Sequence, residues 1–167
     1  RASVSEVGDN FVLVLGGMRA IVSSDGKIAF KNQAGEVLFE ELWRNERDID
    51  ARVLRGHVGG SSHIELHLRQ YAGEHFYGLG QEAHDLFDLK GATLDLCQQN
   101  TKSTIPFVMS SRGYGFIWNN PAIGRVEFGT SGTRWVAESA RQMDYLVIAG
   151  DTPGEIEHRY CEVTGYA

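Results

Sequence analysis

Four ionisable side chains, Glu82, His84, Asp85 and Asp88, fall within seven residues inside the stretch "FYGLGQEAHDLFDLKG", Phe76 to Gly91. Glycosidic and anomeric chemistry needs paired acid and base groups, and a Glu base beside a His acid could open a sugar ring. The plainer reading of this cluster is a solvated loop, and residue chemistry alone favours it. The same stretch contains "GLGQEA", close to the glycine pattern that cradles a dinucleotide. Ala83 stands where the third glycine belongs, however, and no βαβ unit follows. Gly78 and Gly80 are better read as positions where a strand bends or a second backbone comes close.

Two further groups have chemical potential. His63, Glu65 and His67 alternate along one segment, so two imidazoles and a carboxylate could meet on one strand face and ligate a metal. Polar residues on the outer face of a half-buried strand need no such explanation, and no metal is expected. The segment "CQQNTKST", Cys97 to Thr104, is uncharged except for Lys102. Amide and hydroxyl side chains in a loop suit sugar hydroxyls, which need both donors and acceptors. Cys97 and Cys161 have no partner His or Cys at ligand spacing, so neither a disulfide framework nor a zinc site is expected, and the compartment stays open.

The elements that position these residues read as mostly β. Short apolar runs are broken by Gly, Asn and Asp turns, with 20 Gly and 3 Pro in the chain. Asn10–Leu15 and Arg19–Ser24 form a pair around Gly16-Gly17, Asp25-Gly26 is a hairpin-type turn, and "NQAGE" precedes Val37–Leu42. "SSHIELHLRQY" alternates, with Ile64, Leu66 and Leu68 on one face and His63, Glu65, His67 and Arg69 on the other. Ile105–Asn120 reads as two strands joined at Arg112-Gly113, followed by "RVEFGT", "TRWVAES" and "MDYLVIAG". The period changes only at the end. Thr152 as N-cap, Pro153 at the first helical position and Glu155 three residues after the cap predict a short helix. Its apolar face would carry Ile156, Tyr160 and Val163, and Gly165 would end it. Many strands followed by one helix imply a large antiparallel β-sandwich.

The bulk properties agree with a single globular domain. A chain of 167 residues buries roughly two-thirds of its unfolded surface. With 42% hydrophobic and 23% charged residues it reads as folded rather than disordered, and the net charge is −6. No Lys/Arg run is present, so neither nucleic acid nor an anionic membrane surface is an expected partner. No apolar run approaches the roughly 20 residues of a membrane helix. The chain begins at Arg1 without a signal-like segment, which suggests that an upstream piece lies outside it.

Three segments together, "FYGLGQEAHDLFDLKG", "QQNTKSTIPFVMSSRGYGFIWNNP" and "DYLVIAGDTPGEIEHRYCEVTG", occur in an order and at separations that resemble the N-terminal β-sandwich domain of family 31 glycoside hydrolases, the α-glucosidases and α-xylosidases. The resemblance is strong from Phe76 to Gly165 and general from Arg1 to Tyr71. It implies a galactose-mutarotase-like supersandwich spanning residues 1–167, followed in the full protein by a catalytic (β/α)8 barrel and smaller β domains. It implies retaining hydrolysis, with one barrel aspartate attacking the anomeric carbon and another protonating the leaving oxygen. No metal or organic cofactor is implied.

The chain stops at Tyr166-Ala167, where that barrel would begin, so no catalytic residue is expected in it, and Asp85, Asp88 and Asp95 are assigned no such role. In many members of the family an Asn-Arg-Asp loop of the sandwich walls the sugar subsite through its Asp. The matching residues here are Gln98-Gln99-Asn100, with Asn100 at the Asp position and Thr101 after it. The resemblance therefore implies substrate contacts from Asn100, Gln99 and Thr101. Asn keeps hydrogen-bonding capacity but loses the charge, and the loop to Ile105 is short, so an α-xyloside is at least as well suited as an α-glucoside. Gly78, Gly80, Pro106, Gly113, Gly115, Asp144 and Tyr145 match scaffold positions, and Tyr114 and Trp118 read as core or interdomain packing.

The implied partners are an α-linked oligosaccharide or glycoside and the protein's own barrel. Severed from that barrel, the domain would expose an apolar patch and self-associate. A stand-alone carbohydrate-binding module is the alternative. An aldose epimerase, suggested by Glu82 and His84, would need a His pair and a Glu converging on one sheet face, which the sequence does not reveal.

Overall fold

Turns at Gly, Asn and Asp cut the first part of the chain into a meander. A computed structural model describes residues 2–42, 50–82 and 84–166. Its first sheet takes five strands in chain order: β1 (Ser3–Val7), β2 (Asn10–Leu15), β3 (Met18–Val22), β4 (Ile28–Lys31) and β5 (Val37–Glu40). The remaining strands are β6 (Arg52–Gly56), β7 (Ser62–Leu68), β8 (Phe76–Gln81), β9 (Thr93–Leu96), β10 (Ser103–Ser110), β11 (Tyr114–Trp118), β12 (Gly124–Phe128), β13 (Thr133–Ala140) and β14 (Tyr145–Ala149), and the chain then enters α1 (Pro153–Thr164). They form a four-stranded sheet ordered β14-β11-β10-β8 and a five-stranded sheet ordered β6-β7-β13-β12-β9. The pairings are antiparallel throughout.

The expected antiparallel sandwich with a short C-terminal helix is what the chain forms. The second and third sheets face each other across an aromatic core. Phe116 on β11 meets Trp135 on β13 at 4.9 Å, and Phe76 on β8 stacks on Phe128 on β12 at 4.5 Å. Trp118 and Tyr114, 2% and 4% exposed, belong to this core, so they are packing residues as expected. The first sheet enters through Phe39, whose ring lies 5.0 Å from Tyr114. Past β5 the same strand runs on to the third sheet, where Glu41 bridges Leu68 and the Leu42 amide donates to the His67 carbonyl.

The helix is capped as its sequence predicts: Thr152 accepts from the Glu155 amide, and the Gly165 amide donates to the Cys161 carbonyl. The Glu155 carboxylate closes back on the Asp151 amide, one residue before the cap. Ile156 is buried against the outer face of the second sheet and Tyr160 stacks on Phe107 at 4.1 Å. Val163 does not join them; it is 58% exposed. Among the described residues no helix is long and apolar enough to cross a membrane.

Three strands lack a sequence signal. β1 is exposed along its whole length, β6 almost so, and β9 has only four residues. β1 and β6 are held by the strands beside them rather than by an apolar pattern of their own, whereas β9 buries Leu94 and Leu96 but is too short for its alternation to be read.

A close backbone contact lies between β8 and β10. Gly80 pairs with Thr104 and Gly78 with Val108, so Ile105, Pro106 and Phe107 bulge opposite the single residue Leu79. A bulge is where a sheet accepts a proline. Gly80 has φ +84°, and a Cβ there would overlap the Ser103 carbonyl oxygen and sit 2.9 Å from the Ile105 nitrogen. Gly78, at φ +127°, would meet the Phe107 carbonyl at 2.7 Å. Leu79 between them adopts φ 67° with a side chain fully buried, so core packing holds a backbone conformation that leucine otherwise avoids. The close-approach reading of these glycines holds, while Ala83 lies outside the described residues.

Replacing Gly80 with alanine is expected to destabilise the domain by about 3 kcal/mol or more, since left-handed strain and overlap with backbone add. Gly17→Ala, whose Cβ would touch only the Gln33 side chain at 3.8 Å, is the control, with a change under about 0.5 kcal/mol. Thermal unfolding of both variants tests this; an unchanged midpoint for Gly80→Ala contradicts it.

Candidate functional site

β9 belongs to the third sheet and β10 to the second, so the chain between them must cross the end of the sandwich. It does so in a tight turn. Gln99 pairs with Lys102, whose amide donates to the Gln99 carbonyl at 3.2 Å, and Asn100 and Thr101 are the central residues. Thr101 sits at φ 68°, an uncommon conformation for a β-branched residue. Such strain costs about 1–3 kcal/mol and persists only where the surroundings enforce it.

What enforces it is a polar foot beneath the turn. The Gln98 amide donates to the Thr104 carbonyl at 2.8 Å and accepts from the Thr104 amide at 3.1 Å, imitating a strand pairing. The Thr104 hydroxyl lies 3.0 Å from the Cys97 carbonyl and 3.2 Å from Glu82 Oε1, and its one proton serves either acceptor. Lys102 Nζ donates to Glu82 Oε2 at 2.9 Å and to the Asp95 carbonyl at 2.6 Å. The Glu82 and Lys102 side chains are 7% and 12% exposed, so this is an ion pair largely withdrawn from water.

The three residues expected to contact substrate sit together on top of this foot. Gln99, Asn100 and Thr101 are all exposed. The Gln99 amide turns back to Cys97 Sγ at 3.2 Å, whereas among the described residues no side-chain hydrogen bond engages Asn100. Beside the foot opens a cavity of about 300 Å³ lined by Gln98, Thr104, Pro106, Trp118 and Asn120. The Trp118 indole N–H is buried without a hydrogen-bond partner among the described residues. Sequence reasoning missed the foot. Its signal was Lys102, the one charge in an otherwise neutral loop, which needed an anion to pair with.

Among the described residues Glu82, His84 and Asp88 do not pair with one another. Glu82 is committed to the foot. Asp88 takes the His75 Nδ1 proton at 2.6 Å and the amides of Phe76 and Lys90 at 3.2 and 3.1 Å, so it closes its own loop. His84 Nδ1 accepts from the Leu86 amide, which places its proton on Nε2, a buried donor without a partner in the described residues.

His63, Glu65 and His67 do converge on one sheet face, as their alternation along the strand allows. The two imidazole Nε2 atoms lie 2.8 and 3.0 Å from the Glu65 carboxylate. Arg134 approaches the same carboxylate, with Nε and Nη2 each 2.9 Å from Oε2, and Arg55 Nη1 lies 3.4 Å from Oε1. A guanidinium there excludes a cation, and among the described residues no cluster is arranged to hold a metal. Burial pushes the Glu65 carboxyl up, but hydrogen bonds from Arg134, His63 and His67 and the charge of Arg134 outweigh burial and hold it down at about 2. A carboxylate so acidic is a poor general base at neutral pH.

Residues 1–127 match the family described as "Glycosyl hydrolase 31 N-terminal galactose mutarotase-like domain". An uncharacterized family 31 glucosidase of Pseudescherichia vulneris is 34% identical over 99% of this chain and 35% of its own length. An α-xylosidase of Saccharolobus solfataricus is 30% identical over 88% of this chain and 20% of its own. Among solved structures, a GH31 α-xylosidase from a soil metagenome complexed with xylose superposes with a TM-score of 0.93 at 37% identity, over 96% of this chain and 26% of that one. The chain thus spans about a third or less of the length of these relatives.

Because the folded pKa of Glu65 lies near 2 and its ordinary value is 4.5, its contribution to stability is complete above about pH 4.5 and is lost as the pH falls toward 2. Glu65→Gln is expected to lower the thermal midpoint at neutral pH and to flatten its decline between pH 5 and about 2. Parallel pH profiles for parent and variant refute this.

Proposed function

The chain belongs to glycoside hydrolase family 31, as its N-terminal galactose mutarotase-like domain, and on that premise we propose that the full-length protein is a retaining α-glycosidase acting on α-linked xylosides or glucosides. In this reading two aspartates of a downstream (β/α)8 barrel perform the chemistry, and residues 1–167 are non-catalytic. The domain contributes a substrate-side turn, in which Asn100 contacts the sugar with Gln99 and Thr101 beside it.

One observation carries this reading: an exposed Asn100, free of side-chain partners in the described residues, stands at the tip of a strained turn fixed on a buried ion pair. A side-chain amide offers a donor and an acceptor together, which matches a sugar hydroxyl. Rigid placement lowers the entropy lost on binding. The relatives named as α-xylosidases, one complexed with xylose, support a xyloside.

Packing of the domain on its barrel is supported by the apolar groove beside α1, lined by Tyr77, Phe87, Met109, Pro153 and Ile156. Phe87 there is 84% exposed, an arrangement suited to an interdomain contact. The isolated domain would self-associate through the same surface.

In the full-length protein, Asn100→Ala is expected to raise KM for an aryl α-xyloside about fivefold and to change kcat less than about twofold, as when one hydrogen bond shared by ground and transition states is removed. An unchanged KM overturns the recognition role. Titration of the isolated domain with xylose separates the alternative: millimolar or tighter binding supports a stand-alone carbohydrate-binding module.

A further inference from the structure

We infer that Glu82 is a positioning residue for substrate recognition, acting through Lys102 on the turn that carries Asn100. The inference rests on the recognition reading above and assigns Glu82 a task that neither the acid–base reading nor the scaffold reading provides.

Glu82 follows directly on β8, at the point where Gly80 presses against β10. Both of its carboxylate oxygens are engaged, Oε2 by Lys102 Nζ at 2.9 Å and Oε1 by the Thr104 hydroxyl at 3.2 Å. Lys102 is also the residue that closes the turn. Its amide donates to the Gln99 carbonyl, and its ammonium reaches back across the loop to the Asp95 carbonyl at 2.6 Å. One side chain therefore ties the end of β9, the start of β10 and the end of β8 together. Remove the charge of Glu82 and the ammonium, 12% exposed, loses its only carboxylate among the described residues. An unpaired buried charge moves toward water. The backbone of Lys102 moves with it, and with that backbone the pairing that sets the Asn100 tip.

The test uses the full-length protein and an aryl α-xyloside, with Glu82→Gln, Asn100→Ala, the two combined, and Glu82→Gln/Lys102→Met, which removes both charges and leaves none stranded. If Glu82 acts through the turn, Glu82→Gln raises KM about as much as Asn100→Ala, about fivefold, with kcat within about twofold. The combined variant is then no worse than the worse single one, because coupled residues are not additive. Glu82→Gln/Lys102→Met severs the ties from Lys102 to Glu82 and to the Asp95 carbonyl and so frees the turn without a stranded charge; it shows the same rise in KM and is read in place of Glu82→Gln if that variant does not fold. A lowered thermal midpoint with parental KM, or KM effects that multiply in the combined variant, overturns this inference and leaves the recognition role of Asn100 standing. An Asn100→Ala variant with parental KM overturns the recognition reading and this inference with it.

Discussion

At Gly80 two backbones meet with no room for a side chain. The strand carrying it lies against a three-residue bulge on its neighbour, and a Cβ there would overlap a carbonyl oxygen. Much of the site follows from this contact. It admits Pro106 into a sheet that would otherwise refuse it. It turns Leu79 inward to fill the core from a left-handed backbone. It also delivers Glu82 to the base of the β9–β10 turn, where Lys102 and Thr104 wait. A glycine pattern with the look of a phosphate loop is thus a steric requirement of sheet packing.

Other buried carboxyl groups among the described residues are likewise satisfied by nearby donors. Glu41, 1% exposed, takes Nε and Nη2 of Arg52 at 2.6 and 2.8 Å together with the Ile28 amide at 2.9 Å. Glu74, 2% exposed, receives the hydroxyls of Ser110 and Tyr114 at 2.6 and 2.8 Å. Glu65 has Arg134 and two histidines, and Glu82 has Lys102. Two of these groups lie at seams, Glu41 where the first sheet passes into the third and Glu82 beneath the turn where the third passes into the second, whereas Glu65 and its partners lie within the third sheet. The desolvation cost of such pairs offsets much of their Coulomb gain, so they add little net stability, while a partner lost is costly. At the seams their value is in fixing how the sheets meet, which makes the turn above Glu82 a rigid feature.

Fold class, strand succession, the helix with both its caps and the scaffold role of Gly78 and Gly80 were legible in the sequence, because they depend on local periods and on residue types with narrow backbone preferences. The weak elements were not. β1 and β6 carry too little apolar alternation to announce themselves and are strands because a neighbour supplies hydrogen bonds, and β9 alternates over only four residues. Val163 keeps the helical period yet stays exposed, which period alone does not decide.

The sequence alone determined that this is a β-sandwich with a capped C-terminal helix, that Asn100 stands in a polar loop, and which family the ordered motifs resemble, since those properties are written in residue order. Only the tertiary structure decided which charges pair. It brought Arg134 to Glu65 from far along the chain, so a His-Glu-His pattern became an ion-pair network instead of a metal or epimerase site. It likewise brought Glu82 to Lys102, converting a suspected acid–base residue into the foot of a turn. The reason is distance: Coulomb energy and hydrogen bonds depend on separation in space, which strand order and register set, and neither can be read from spacing along the chain.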